Sequence, residues 1–183
     1  MPTITYEPIQ TYTISGSSTG SVTFNSIPTI YTELKIVASI GAVESENDLY
    51  VVMNGDNTSS NYGYGGIAGW QTGSPATNST VEFKSTSYAG CLVDYYGPPA
   101  LGGLGQHQVV ISIPDPQGSH WKIVRSNSVN YKPAGTPGVR GGVDELISVW
   151  KNNAAITSLT ITQGGPRTWL AGSRITLFGL KGA

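Results

Sequence analysis

Apolar residues along this chain recur mostly at every second position, with serine and threonine between them. In ITSLTITQ (156–163) Ile156, Leu159 and Ile161 are separated by hydroxyl residues. In SRITLFGL (173–180) Ile175 and Leu177 share one face with Gly179, and Thr176 and Phe178 the other. Period two is the signature of strands, because successive side chains point to opposite faces of a sheet. The same pattern marks IQTYTI (9–14), SVTFNSIP (21–28), YTELKIVASIG (31–41), LYVVM (49–53), TVEFKST (80–86), a segment at 89–95, HQVVISIPD (107–115), HWKIVRSNSVN (120–130) and VDELISVW (143–150). About ten strands separated by Gly/Pro-rich turns, with no helical periodicity, predict an all-β antiparallel sandwich. No fixed-period repeat points to a propeller or β-helix.

Several pairings follow from loop length. SGSSTGS links 9–14 to 21–28 as a hairpin, PDPQG links 107–115 to 120–130 as a central hairpin, and the last two segments form a closing hairpin. The C-terminal strand is expected inside the sheet. Residues 1–8 read as a short arm on a single domain spanning 1–183. Asn54-Gly55-Asp56 reads as a turn, since Asn and Gly tolerate positive φ. The Tyr/Gly/Asn-rich 57–66 that follows, and the Gly/Pro-rich 87–106 and 132–142, read as loops, the last two as contact surfaces.

The chain has 183 residues, long enough for a sizeable core. Charged residues make up only 11%, against the usual ~25%, and the net charge is −1. The ten Lys and Arg residues are scattered, so no basic track for nucleic acid is present. No apolar run reaches the length of a membrane-spanning helix, and no secretory leader is recognisable. Cys91 is alone and reads as a small buried apolar residue.

Candidate chemistry is sparse. His107 and His120 lack the further ligands that a metal site needs, and no HExxH or CxxC occurs. Glu82, Asp144 and Glu145 lie on or beside predicted strands without the same-face pairing of a glycosidase. Glu44, Glu46 and Asp48 could offer oxygens to Ca²⁺ but read more simply as a solvated turn. The expectation is a protein with no catalytic residues, no metal and no cofactor. A binding face is offered by Tyr62, Tyr64, Trp70, Tyr95 and Tyr96, as contacts to a glycan or to a partner protein.

YEPIQTYTISGSSTGSVTFNSIPTIYTELKIV (6–37), LYVVMNGDNTSSNY (49–62), ISVWKNNAAITSLTI (147–161) and LAGSRITLFGLK (170–181) carry a resemblance. In these segments the chain resembles the jelly-roll virion structural proteins of tailed bacteriophages, especially phages of cyanobacteria and marine bacteria. The resemblance covers under half of the chain, and nothing in 70–142 matches. It implies a jelly-roll sandwich made in the host cytoplasm and carried on the phage particle. Its role there would be capsid decoration (cement), with a tail or fibre module that binds host glycans as the alternative. Partners would be further copies of the chain, as a trimer, and major capsid or tail proteins. A low-charge surface rich in Tyr and Gly suits such packing, because charge is depleted from interface cores.

Overall fold

The computed structural model describes residues 5–16, 20–41, 48–72, 77–85, 89–95, 106–131, 139–164 and 168–182; for 70–72, 77–85, 106, 131 and 139–140 it describes the backbone alone. Among the described residues twelve strands are seen: β1 (Tyr6–Thr13), β2 (Ser21–Phe24), β3 (Tyr31–Ser39), β4 (Leu49–Met53), β5 (Tyr62–Thr72), β6 (Thr77–Ser85), β7 (Cys91–Asp94), β8 (Gln106–Pro114), β9 (Lys122–Tyr131), β10 (Val139–Trp150), β11 (Leu159–Gln163) and β12 (Arg174–Lys181). The sole helical element among the described residues is a single 3₁₀ turn at Ser59–Asn61. All pairings are antiparallel, in an eight-stranded sheet ordered β1-β12-β3-β8-β9-β10-β5-β6 and a four-stranded sheet ordered β2-β11-β4-β7.

Eight of these strands form a jelly roll. β1 pairs with β12, β2 with β11, β3 with β8 and β4 with β7, which is the nested pattern of one long hairpin. Folding that hairpin over itself then pairs β12 with β3 and β11 with β4. The other four strands are two insertions, β5–β6 between β4 and β7 and β9–β10 between β8 and β11. They meet through β10 and β5 and lengthen the larger sheet beyond β8.

The fold class and the buried C-terminal strand agree with the sequence reading, as does the β8–β9 hairpin. Three local expectations are corrected. The segments 9–14 and 21–28 lie in different sheets, as do β11 and β12, so neither pair is a hairpin. In a jelly roll such neighbours cross from one layer to the other, and loop length alone cannot distinguish a crossing from a reversal. Residues 6–8 belong to β1 rather than to an arm, with Tyr6 opposite Leu180. Residues 62–66 are strand, because the glycines of YGYGG let β5 lie close against β10; a Cβ on Gly66 would overlap the Glu145 carbonyl. Residues 43–47, 96–105 and 132–138 of the expected loops lie outside the described residues.

The main core fills the space between the two layers. Phe24, Leu34, Met53, Ile111, Trp150 and Trp169 are at its centre, and Cys91 is buried among them. Threonines that alternate with these residues pair across strands: Thr23 with Thr160 at 2.9 Å and Thr11 with Thr176 at 3.0 Å. A second, smaller cluster of Tyr50, Leu92 and Leu146 lies where the extension curls over β4 and β7, with Tyr64 and Tyr95 packed on it.

Candidate interaction surface

The extension has an inward and an outward face. Along β10, Asp144, Leu146, Ser148 and Trp150 are buried while Val143, Glu145 and Ile147 are exposed. Along β9, Lys122, Val124, Ser126 and Ser128 point inward, and Ile123, Arg125, Asn127 and Val129 outward. Both faces are therefore mixed: Asp144, Ser148, Lys122, Ser126 and Ser128 point in beside Leu146, Trp150 and Val124, while Val143, Ile147, Ile123 and Val129 point out beside Glu145, Arg125 and Asn127.

Three of the inward polar residues, Ser128, Asp144 and Ser148, serve β7, the last strand of the small sheet, while Lys122 donates to the Gly118 and His120 carbonyls of the turn before β9. β10 approaches β7 with side chains instead of a backbone ladder. Ser148 Oγ donates to the Leu92 carbonyl at 2.7 Å, and the Tyr95 amide donates to Asp144 Oδ2 at 2.8 Å. An uncovered strand edge leaves main-chain groups unpaired, and these two contacts satisfy two of them. Behind them Ser128 Oγ donates to Asp94 Oδ1 at 2.7 Å, and His107 Nε2 lies 2.9 Å from Asp94 Oδ2 with both side chains fully buried. Burial alone would raise Asp94, but the neighbouring His107 and hydrogen bonds from His107, Asp144 and Ser128 outweigh it and hold the carboxyl low. Asp144 is pushed up to about 7, by burial first and then by its hydrogen bond to Asp94 and that group's charge. Asp48, at the start of β4, is raised to about 6 by burial, opposed by the Tyr50 hydroxyl and assisted by Asp94. Serine, carboxylate and histidine occur here in the wrong order for a nucleophile, since the carboxylate and not the imidazole touches the hydroxyl.

The outward face is dominated by aliphatic side chains. Val143 and Ile147 are 59% and 54% exposed, and Val129, Ile67 and Ile123 flank them. Register places Val129 beside Val143, Arg125 beside Ile147 and Ile67 beside Glu145. The outward positions of β5 around Ile67 are Gly63, Gly65 and Gly69, so that strand presents a low surface. At the end of the face, beyond β9, Trp121 is 58% exposed and opens a groove with Ser119, His120, Ile123, Val149 and Asn153. His120 Nε2 sits 3.5 Å from Asp115 Oδ2 in the same turn.

Three of the aromatic residues singled out from the sequence, Tyr62, Tyr64 and Tyr95, have described side chains. Tyr62 is fully buried, and its hydroxyl donates to the Asp56 carbonyl at 2.8 Å. Tyr64 and Tyr95 pack partly buried on the second core cluster. The Trp70 side chain and all of Tyr96 lie outside the described residues. His107 and His120 occupy opposite ends of the β8–β9 hairpin. Of the carboxylates, Glu145 points outward and Asp144 inward, and the side chain of Glu82 lies outside the described residues, as do Glu44 and Glu46. Among the described residues no group of three His, Cys, Asp or Glu side chains is placed to hold a metal ion.

Two features escaped the sequence reading. The Asp94–Asp144 pair was signalled by Asp144, which occupies a core position in the alternation of VDELISVW. Trp121 was signalled by its position one residue before β9, out of phase with Lys122 and Val124.

The motif Asn54-Gly55-Asp56 also has a structural role. Asn54 and Gly55 take φ of 51° and 67°. Asp56 accepts hydrogen bonds from Trp150 Nε1, Asn61 Nδ2 and the Thr58 amide at 2.8, 2.8 and 3.0 Å. Asn54 Oδ1 accepts from the amides of Thr157 and Ser158 at 2.8 and 3.1 Å. The turn thus ties β4, β10 and the approach to β11 together.

No family model matches the chain, and no curated protein matches it. Among solved structures, the crystal structure of Caenorhabditis elegans galectin LEC-6 aligns over 94% of this chain and 96% of that one, with 4% sequence identity and a TM-score of 0.33. Similarity at that level identifies neither a family nor a site for this protein.

Proposed function

We propose that this protein is a non-enzymatic structural component of a phage particle, a capsid decoration protein that works by packing against other proteins. The observation that carries the reading is the outward face of β5, β9 and β10, where Ile67, Ile123, Val129, Val143 and Ile147 stand together and exposed. Aliphatic side chains gathered on one exposed face, unlike the same residues scattered singly, mark interaction sites. The low charge of the chain and its segmental resemblance to phage virion proteins support the same reading. Mass spectrometry of purified particles from a phage encoding this sequence tests it. Recovery in the copy number of a coat component is expected, and absence from the particles would refute it.

The groove at Trp121 favours a second reading, a tail or fibre module that holds a glycan. An exposed indole face beside His120, Ser119 and Asn153 offers a stacking surface with hydrogen-bonding groups around it. On a glycan array the native protein should then bind and Trp121→Ala should not, with both equally stable. No binding by the native protein would remove this reading.

A further inference from the structure

We infer that the outward face of β9, β10 and β5 is covered by the same face of a second copy of this chain, in a two-fold pair. The inference takes from the reading above only that protein covers this face. Three observations specify the occupant.

The first is extent. Three strands, β9, β10 and β5, at ~4.8 Å spacing and roughly ten residues of ~3.3 Å rise give a face of about 475 Å² per copy, or about 950 Å² for a pair. That total exceeds ordinary lattice contacts and falls in the range of weak, reversible interfaces, which sets the concentration range of the test below. The glycine positions of β5 and the short side chains of Val129 and Val143 keep the face low enough for two sheets to meet.

Charge is the second. Among the described side chains of the aliphatic field stand one cation and one anion, Arg125 on β9 and Glu145 on β10. Register sets them on a diagonal, Arg125 opposite Ile147 and Glu145 opposite Asn127. Both are exposed, and neither makes an ion pair or hydrogen bond with a described residue. A two-fold axis in the plane of contact, along the Asn127–Ile147 diagonal, carries Arg125 of each copy onto Glu145 of the other. The patch is self-complementary, which is the property an isologous interface requires.

The third is symmetry. A single flat face that covers its own equivalent closes as a pair. A trimer would need two different complementary patches, so the face argues for a dimer rather than the trimer implied by the resemblance. At the margin, Trp121 and Arg125 are of the residue types that most often carry interface energy.

The test is a charge reversal read by sedimentation equilibrium of the full chain from 5 to 500 µM. The native protein is expected to shift from 19.2 kDa to twice that mass across this range. Arg125→Glu and Glu145→Arg should each stay monomeric, because like charges then face each other twice. Mixed in equal amounts, the two variants should recover the dimer, since each now supplies what the other lacks. Circular dichroism and melting temperature check that both remain folded; if either does not, Val143→Lys replaces it as the disrupting change. A native protein monomeric at 500 µM, a trimer, single variants that still dimerise, or a mixture that stays monomeric would each overturn the pair. None of these results bears on whether the chain is found in particles, so the two proposals fail separately.

Discussion

Asp144→Asn should stabilise the protein most above pH 7, progressively less toward acid, and leave it almost unchanged only below about pH 4. In the folded chain Asp144 lies behind β7, accepts the Tyr95 amide at 2.8 Å, and hydrogen-bonds Asp94, with its own proton held up to about pH 7. A free aspartate loses that proton near ~3.9. The folded state therefore binds more protons than the unfolded one between these values, and stability falls as pH rises through the interval. Integrating from pH 5 to pH 8 gives a loss on the order of 2–3 kcal/mol from this group. An asparagine fits the same two contacts without titrating: its carbonyl accepts the Tyr95 amide and its amide donates to Asp94. At 2–4 °C per kcal/mol for a chain of this length, the variant's melting advantage over the native protein should grow by roughly 5–10 °C between pH 5 and pH 8. Differential scanning calorimetry at pH 5, 6.5 and 8 measures it. Asp94, held low, contributes in the opposite sense, its stabilisation being lost only in strong acid. If Asp144→Asn melts below the native protein at pH 8, or keeps the native pH slope, the shared-proton account of β7 is wrong.

Other substitutions test other parts of the fold. Asp56→Ala leaves Trp150 Nε1, Asn61 and the Thr58 amide without their acceptor and should cost about 2–4 kcal/mol in urea titration. Asp56 itself is held low because those hydrogen bonds outweigh burial, so its stabilisation should begin to fall below about pH 4, where the unfolded group protonates, and be lost as the pH drops through the lower folded value. Gly179→Ala forces a methyl into the ring of Tyr31, whose hydroxyl donates to Glu7 at 2.7 Å, and should cost about 1–3 kcal/mol in the same assay. Trp121→Ala removes an exposed ring and should change stability by less than about 0.5 kcal/mol.

The strands were legible because they are half-buried and their alternation is regular, as in VDELISVW and HWKIVRSNSVN. The layer to which each strand belongs was not legible. β11 and β12 have the same pattern whether they form a hairpin or straddle the core, and only the nested pairing of distant strands decides it. β5 was missed because its glycines carry no side chains to alternate. The buried carboxyl pair was missed because Asp94 and Asp144 are brought together by the extension curling past β7, a long-range event with no local signal. The exposed field was concealed by the opposite ambiguity: periodicity separates two faces without saying which is wet. In β10 the more aliphatic set, Val143 and Ile147, is the exposed one.

The nested pairing also governs how this chain reaches its structure. In the jelly-roll core every ladder joins strands far apart in sequence, ending with Tyr6 beside Leu180. The short-range ladders, β8–β9, β9–β10 and β5–β6, fall in or border the extension. Loop closure penalises distant contacts before they return any energy, so the local ladders should form first and the β1–β12 seam last. φ-value analysis would then give high values at Val124 and low ones at Leu177, and the reverse order would overturn this sequence of events. The insertions would thus be the template on which the roll assembles, while Tyr62, Val124 and Trp150 make them part of the core it closes over.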